Sequence, residues 1–244
     1  MSYYGELCTR MYESDKSLAE GKELEFYLSF VHRKDMRVLE PMCGNGRLLI
    51  PFMQQGIDIE GFDISDDMLK VCREKGKQLN LKPRVYNRGI EDFISPNTFD
   101  LIVIPFGSFS LLPDELVNMS LHNLKKALTD QGKLLVTIML KDKEVHELPE
   151  WTESGKVHFE HESIVLYKKT QYLRDRSILF TELKYQLQND DQIIKTEMME
   201  FPLKLYSITE FEGILQDNDF EHIRLHEVKD GYGRGTCFHV FECS

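Results

Sequence analysis

The sequence predicts an α/β fold: a doubly wound, mostly parallel sheet of seven strands, interrupted after its fifth strand by an antiparallel β insertion. Three observations carry this. Residues 36–140 alternate short apolar strand patterns with helix-spaced ones. The run TFDLIVIP (98–105) is apolar without interruption from Leu101, as expected of a parallel strand covered on both faces. Beyond Leu140 the helical rhythm stops, and residues 151–205 read as successive strands.

The elements follow in order. Residues 15–31 carry Leu18, Leu24, Phe26, Tyr27, Leu28 and Phe30 at helical spacing, which predicts a helix leading into the core. MRVLE (36–40) is a strand ending at Pro41; a glycine turn then leads into the helix RLLIPFMQQG, stopped by Gly56. IDIEGFD (57–63) alternates as a second strand and ends in Asp63, and Ser65, Asp66 and Asp67 start the next helix as cap and first-turn residues. PRVYN (83–87) is a third strand and residues 98–105 the fourth. After Pro113 an amphipathic helix places Leu116, Met119, Leu124 and Leu128 inward. Asp130–Gly132 reads as a turn into the fifth strand, KLLVTIML. Right-handed crossovers make these strands parallel.

The insertion reads as three or four antiparallel strands over the segments KVHFEHESIVLYKKTQYL, SILFTELKYQLQ and QIIKTEMMEFPLKLY, with a hairpin turn at Asn189–Asp191. Ser207 then caps a helix, ITEFEGILQDN, and FEHIRLHEV and TCFHVFEC close the chain as strands. With no Pro/Ser-rich linker, residues 1–244 are expected to form one domain. It divides into an N-terminal helical segment (1–35), a core (36–140), an antiparallel insertion or lid (141–205), and a closing helix and strands (206–244).

Composition narrows the function. The 244 residues are 41% hydrophobic and 29% charged, enough apolar content for a core without disulfides. A formal charge of −11 with no compensating basic cluster disfavours nucleic acid as a partner. The five cysteines show no C-x-x-C or zinc-like spacing, so no metal site is expected, and an odd count without a secretion signal suits reduced thiols in a cytoplasm. The longest apolar stretch, Leu101–Leu112, is too short to span a bilayer and contains Pro105 and Gly107. A monomer and a homodimer are both compatible with the sequence.

The chemistry concentrates in VLEPMCGNGRLLI. Gly44 and Gly46 lie where a strand becomes a helix, so the backbone can approach a ligand and the helix start offers free N–H groups. Asp63, at the end of the next strand, is in register to accept hydrogen bonds from a ribose diol. A plain tight turn and a helix-capping aspartate are the alternatives for each feature taken singly.

Together these segments resemble the class I S-adenosylmethionine-dependent methyltransferases, whose Rossmann-like fold matches the order of elements. VLEPMCGNGRLL resembles their first motif, an acidic residue followed by G-x-G-x-G: Glu40 matches the acid, Gly44 and Gly46 the second and third glycines, and Met42 replaces the first. GFDIS is similar to the second motif, with Asp63 for the ribose and Ile64 for an adenine face. NRGIEDF is similar to the third, with Ile90 and Glu91 at the adenine edge. FDLIVIPFGSFSLL resembles the fourth strand and its loop, with Pro105 beside the cofactor, and YSITEFEGILQDNDFEHIRL the closing helix and strand.

The resemblance implies S-adenosylmethionine as cofactor and methyl transfer to a nitrogen or oxygen of a small molecule. Glu40 and the backbone near Gly44 suit the cofactor's amine. Arg47 is read as a solvated helix residue, with pairing to the cofactor's carboxylate as the other option. Tyr12 corresponds to a tyrosine that folds over the cofactor in related enzymes. The acceptor is expected beyond strands four and five, near Phe106, Ser108 and Phe109, with Trp151 and Tyr172 of the insertion lining its pocket. The segment IPFGS lacks the N-P-P-[YF] signature of enzymes acting on nucleobase amines. No catalytic base is assigned; His146 is the candidate, and His158 and His161, on one strand, would face opposite sides. Leu49 stands where a dinucleotide-binding G-x-G-x-x-G would need its third glycine, which disfavours nicotinamide. The remaining alternatives are a non-catalytic cofactor-binding module, an RNA or protein methyltransferase, and aminopropyl transfer from a decarboxylated cofactor.

Overall fold

The structure, a computed structural model, describes residues 4–15, 17–141, 145–189 and 192–244. Its elements are α1 (Glu6–Asp15), α2 (Gly21–Leu28), β1 (Arg37–Pro41), α3 (Leu49–Gln54), β2 (Asp58–Asp63), α4 (Asp66–Gln78), β3 (Arg84–Asn87), β4 (Phe99–Ile104), α5 (Asp114–Ala127) and β5 (Leu128–Thr137). They continue with β6 (Leu148–His158), β7 (Ser163–Leu173), β8 (Ile178–Asn189), β9 (Gln192–Lys204), α6 (Ile208–Asp217), β10 (Arg224–Lys229) and β11 (Cys237–Cys243).

Two sheets result. The first has seven strands in the order β10-β11-β5-β4-β1-β2-β3, the second four in the order β6-β7-β8-β9. β1, β2, β3, β4 and β5 run parallel, whereas β11 pairs antiparallel with both β5 and β10. The central strands are apolar on both faces because both are covered. Leu39, Ile102 and Ile104 pack into one cluster with Leu121 and Leu124 of α5 and Phe211 and Leu215 of α6. Val38, Leu101 and Val103 pack into the other with Tyr27, Ile50, Phe52, Leu69 and Cys72 of α2, α3 and α4. β1 pairs with both β2 and β4, so chain order reverses beside it, and a crevice opens at the carboxyl ends of these strands.

Four local expectations are corrected. The helix expected over 15–31 is confined to Gly21–Leu28, because Gly21 at φ +54° breaks the pattern, and a separate α1 precedes it. Of the residues expected inward on α5, Leu124 is buried but Met119 is exposed; Val117, Ser120, Leu121 and Ala127 form the buried face instead, and Leu128 belongs to β5. The Asp130–Gly132 turn is a bulge within β5, whose register jumps between the Phe99–Leu128 and Leu101–Lys133 pairs. Residues 156–173 are two strands, not one: the chain reverses at 159–162, where the Phe159 N–H donates to the Glu162 carbonyl. His158 therefore ends β6 and His161 sits in the turn. In the expected hairpin turn, Asn189 ends β8, while residues 190–191 lie outside the described residues. Ser65 and Ser207 cap α4 and α6 as expected, Ser207 within a capping box.

Among the described residues no helix is long and apolar enough to cross a membrane. No group of three or more described His, Cys, Asp or Glu side chains converges as metal ligands would.

Candidate active site

The crevice holds a cavity of about 330 Å³, within the size range of small-molecule sites. The turn after β1 forms its floor. Met42, Gly44 and Gly46 all have positive φ, at +57°, +51° and +75°. Met42 thus takes up a conformation usually left to glycine, the residue the resemblance would put there. Gly46 does not line the cavity. It is required behind it, since a Cβ there would lie 2.5 Å from the Cys72 sulfur.

Glu40, next to last in β1, is 2% exposed. Burial pushes its carboxyl well above the usual carboxylate range, against a hydrogen bond from the Leu49 N–H and the nearby Arg47 charge. Its Oε2 has no hydrogen-bond partner. An unpaired buried carboxylate oxygen is costly alone and fits a cationic ligand group at this point. Asp63, ending β2, is better satisfied: Oδ2 accepts from the Gly44 N–H and Oδ1 from the Ser65 N–H, each at 2.9 Å. Burial raises its pKa while these N–H groups hold it down. A carboxylate offers about four acceptor sites, so capacity for a ribose hydroxyl remains beside the N–H groups of Gly44, Ser65 and Ile64.

Ile64, Ile90 and Glu91 line the same cavity, as do Met68 and Arg88, and Leu111, Leu112 and Leu116 supply an apolar surface. Pro105, Phe106 and Ser108 line it from the turn after β4. Tyr4 and Tyr12, on and before α1, complete the wall, and Tyr12 meets Phe106 edge to face at 6.3 Å. Burial raises the pKa of both tyrosines, so neither hydroxyl is a base near neutrality. Cys43 also lines the cavity, and its thiol, pushed up by burial, is no thiolate nucleophile.

Arg47 is not the solvated residue expected. It is paired with Glu23, which is fully buried on α2, and its guanidinium stacks 4.9 Å over the Phe106 ring. Its Nε is buried without a partner, and the residue lines the cavity.

Of the expected cofactor residues, Tyr12, Glu40, Met42, Asp63, Ile64, Ile90, Glu91 and Pro105 meet at this cavity together with Gly44. Phe106 and Ser108 do so from the expected acceptor set; Phe109, Trp151 and Tyr172 do not. Phe109 is fully buried against Phe211 of α6. Trp151 faces outward under the Lys184 ammonium, and Tyr172 is buried in the insertion, its N–H donating to Glu147. His146 is exposed in the connection before β6 and lines no part of the cavity. Sequence reasoning missed Asn45, Met68 and Arg88. For Met68 a signal was available: it is one turn beyond the Ser65 cap, on the helix that starts beside Asp63.

Residues 38–132 match a family model described as a methyltransferase domain. An uncharacterized methyltransferase of Staphylococcus carnosus (strain TM300) is 32% identical over 100 residues, 41% of this chain and 45% of the relative. A Geobacillus sp. (strain WCH70) protein with a provisional methyltransferase name is 24% identical over 136 residues, 52% of this chain and 55% of the relative. The chain spans about half the length of these curated relatives. Among solved structures, an S-adenosylmethionine-dependent methyltransferase from Clostridium acetobutylicum ATCC 824 superposes with TM-score 0.74 at 16% identity, covering 96% of both chains. A sugar N-methyltransferase from Streptoalloteichus sp ATCC 53650 gives 0.73 at 15% identity, covering 96% of this chain and 91% of that one. These likenesses establish the fold over nearly the whole chain, insertion included. Residues 38–132 thus match a methyltransferase domain, within a fold shared with solved S-adenosylmethionine-dependent methyltransferases.

Proposed function

We propose that this protein transfers the methyl group of S-adenosylmethionine to a nitrogen or oxygen of a small molecule. The observation that carries the reading is the unpaired, buried Glu40 oxygen in the same cavity as Asp63 and the apolar wall of Ile64, Ile90, Leu111 and Leu116. Glu40 would take the ammonium of the methionine portion, Asp63 the ribose hydroxyls, and the apolar wall with Glu91 the adenine. When bound, the cofactor supplies a methyl group on a positively charged sulfur. The residues of this chain align the partners and exclude water, through Tyr4, Tyr12 and Phe106 around the cavity. The acceptor's lone pair forms the new bond to the methyl carbon, the carbon–sulfur bond breaks, and the acceptor's proton passes to solvent. A neutral amine needs no protein base for this step.

Three observations favour a small acceptor: the net charge of −11, the IPFGS segment after β4, and the likeness to a sugar N-methyltransferase. An amino pentose methyltransferase from Micromonospora echinaspora, solved with S-adenosylmethionine, has the same fold at TM-score 0.70. All five cysteines are unpaired, which suits a reducing cytoplasm. The test is a methyl-transfer screen against amines, phenols, amino sugars, RNA and protein. Turnover of a small amine or alcohol supports the reading, turnover restricted to RNA or protein replaces the acceptor class, and cofactor binding without any turnover favours a binding module.

A further inference from the structure

Among the described residues the insertion contributes none to the cavity wall, and α1 is one of the elements that bridge the two. One side of α1 is built onto the insertion. Leu7 and Cys8 pack with Leu183, Tyr185, Leu187 and Met199 in a cluster of their own. The helix start is held by Glu197 of β9, whose Oε2 accepts from the Leu7 N–H at 3.1 Å and Oε1 from the Cys8 N–H at 3.4 Å. Gly5 makes room for that carboxylate, because a Cβ on it would lie 2.4 Å from Oε1.

The other side of α1 touches all three core turns that shape the cavity. The Ser65 hydroxyl, after β2, donates to the Tyr4 carbonyl at 2.9 Å. Asn45, after β1, donates to the Glu13 carboxylate at 2.6 Å, which also pairs with Lys75. Tyr12 packs on Phe106, after β4. Ion pairs of Glu6 with Lys195 and of Arg10 with Glu162 add to this fastening, but among the described residues only Glu197 holds the helix backbone. A wall that touches every cofactor-side turn and is fastened by side chains from the other sheet can pass the position of one to the other.

We propose that Glu197 is a positioning residue through which the insertion holds α1 closed over the cofactor cavity. The proposal rests on the cofactor reading above. Glu197 meets no ligand; it sets the fraction of molecules in which Tyr4 and Tyr12 complete the wall. The apparent affinity of a nucleoside thioether is then the intrinsic affinity scaled by that fraction.

The test uses the full chain, calorimetric titration with S-adenosylhomocysteine, and limited trypsin digestion at Arg10 within α1. Glu197→Ala is expected to weaken binding about tenfold, the loss expected if the closed state falls to about a tenth of the molecules. Cleavage after Arg10 should quicken in the free protein while the two core clusters stay resistant. Glu197→Gln, which keeps one acceptor oxygen, recovers part of the affinity. Gly5→Ala, which pushes the same carboxylate away, reproduces the loss, and the Gly5→Ala/Glu197→Ala pair is no weaker than Glu197→Ala alone. Binding within twofold of the parent in Glu197→Ala, additive losses in the pair, or cleavage throughout the chain would overturn the proposal. Failure of the parent protein itself to bind overturns the cofactor reading and this proposal with it, an outcome distinct from the other three.

Discussion

Replacing Glu40 by Gln keeps the side chain's size and removes its charge, and the structure fixes two opposite consequences. The first concerns the ligand. Oε2 is buried and unpartnered, so an ammonium arriving there gains a desolvated, charge-assisted hydrogen bond, worth about 1.5–3 kcal/mol. Its loss weakens S-adenosylhomocysteine binding roughly tenfold to 150-fold. The second concerns the free protein. Burial raises the Glu40 pKa above its unfolded value, so the folded chain holds the proton more tightly between the two. Stability therefore declines as pH rises through that window, and at pH 7 the group opposes folding. The Gln variant, lacking this opposition, should melt at the parent temperature or above it near neutrality. The same titration gives binding its own signature: parent affinity falls as pH drops and Glu40 takes up its proton, whereas the variant lacks this component. Calorimetric titration across pH and thermal melting read both. Parent-like affinity in Glu40→Gln, with a parent-like pH profile, would refute the assignment of Glu40 to the amine.

Asp63→Ala should cost at least about tenfold in S-adenosylhomocysteine affinity, because it removes the diol acceptor and leaves the Gly44 and Ser65 N–H groups without their partner; unchanged affinity would remove Asp63 from the ribose role. Gly46→Ala forces an alanine to φ +75° with its Cβ against the Cys72 sulfur. A loss of about 1–3 kcal/mol is expected, at about 2–4 °C of melting temperature per kcal/mol in a chain this size. Cys72→Ala should relieve the overlap part of that loss but not the strain, and a melting curve matching the parent's would contradict the stated packing.

The core was legible because its signals are local. The apolar run from Leu101 at β4, the Ser65 and Ser207 caps, and Gly44 and Gly46 between strand and helix each state their structure within a few residues. What failed was decided at longer range. A turn inside KVHFEHESIVLYKKTQYL looks like strand because Phe159 and the flanking residues keep the alternation; only pairing with β8 fixes where β7 begins. Arg47 looks like a solvated helix residue because its partner, Glu23, lies 24 positions away on another helix. Trp151 and Tyr172 looked like pocket aromatics because aromatic content does not reveal which face of a sheet meets a cavity; that depends on how the insertion docks, through Leu7 and Cys8 of α1. Met68 needed no long-range information, only the helix geometry that turns its first residues toward the preceding strand's end.

The central claim is that the cavity between β1, β2 and β4 is built for S-adenosylmethionine, and titration calorimetry with S-adenosylmethionine, S-adenosylhomocysteine and NAD tests it most directly. S-adenosylmethionine and S-adenosylhomocysteine are expected to bind and NAD is not. Tight NAD binding with no response to either of the others would contradict it.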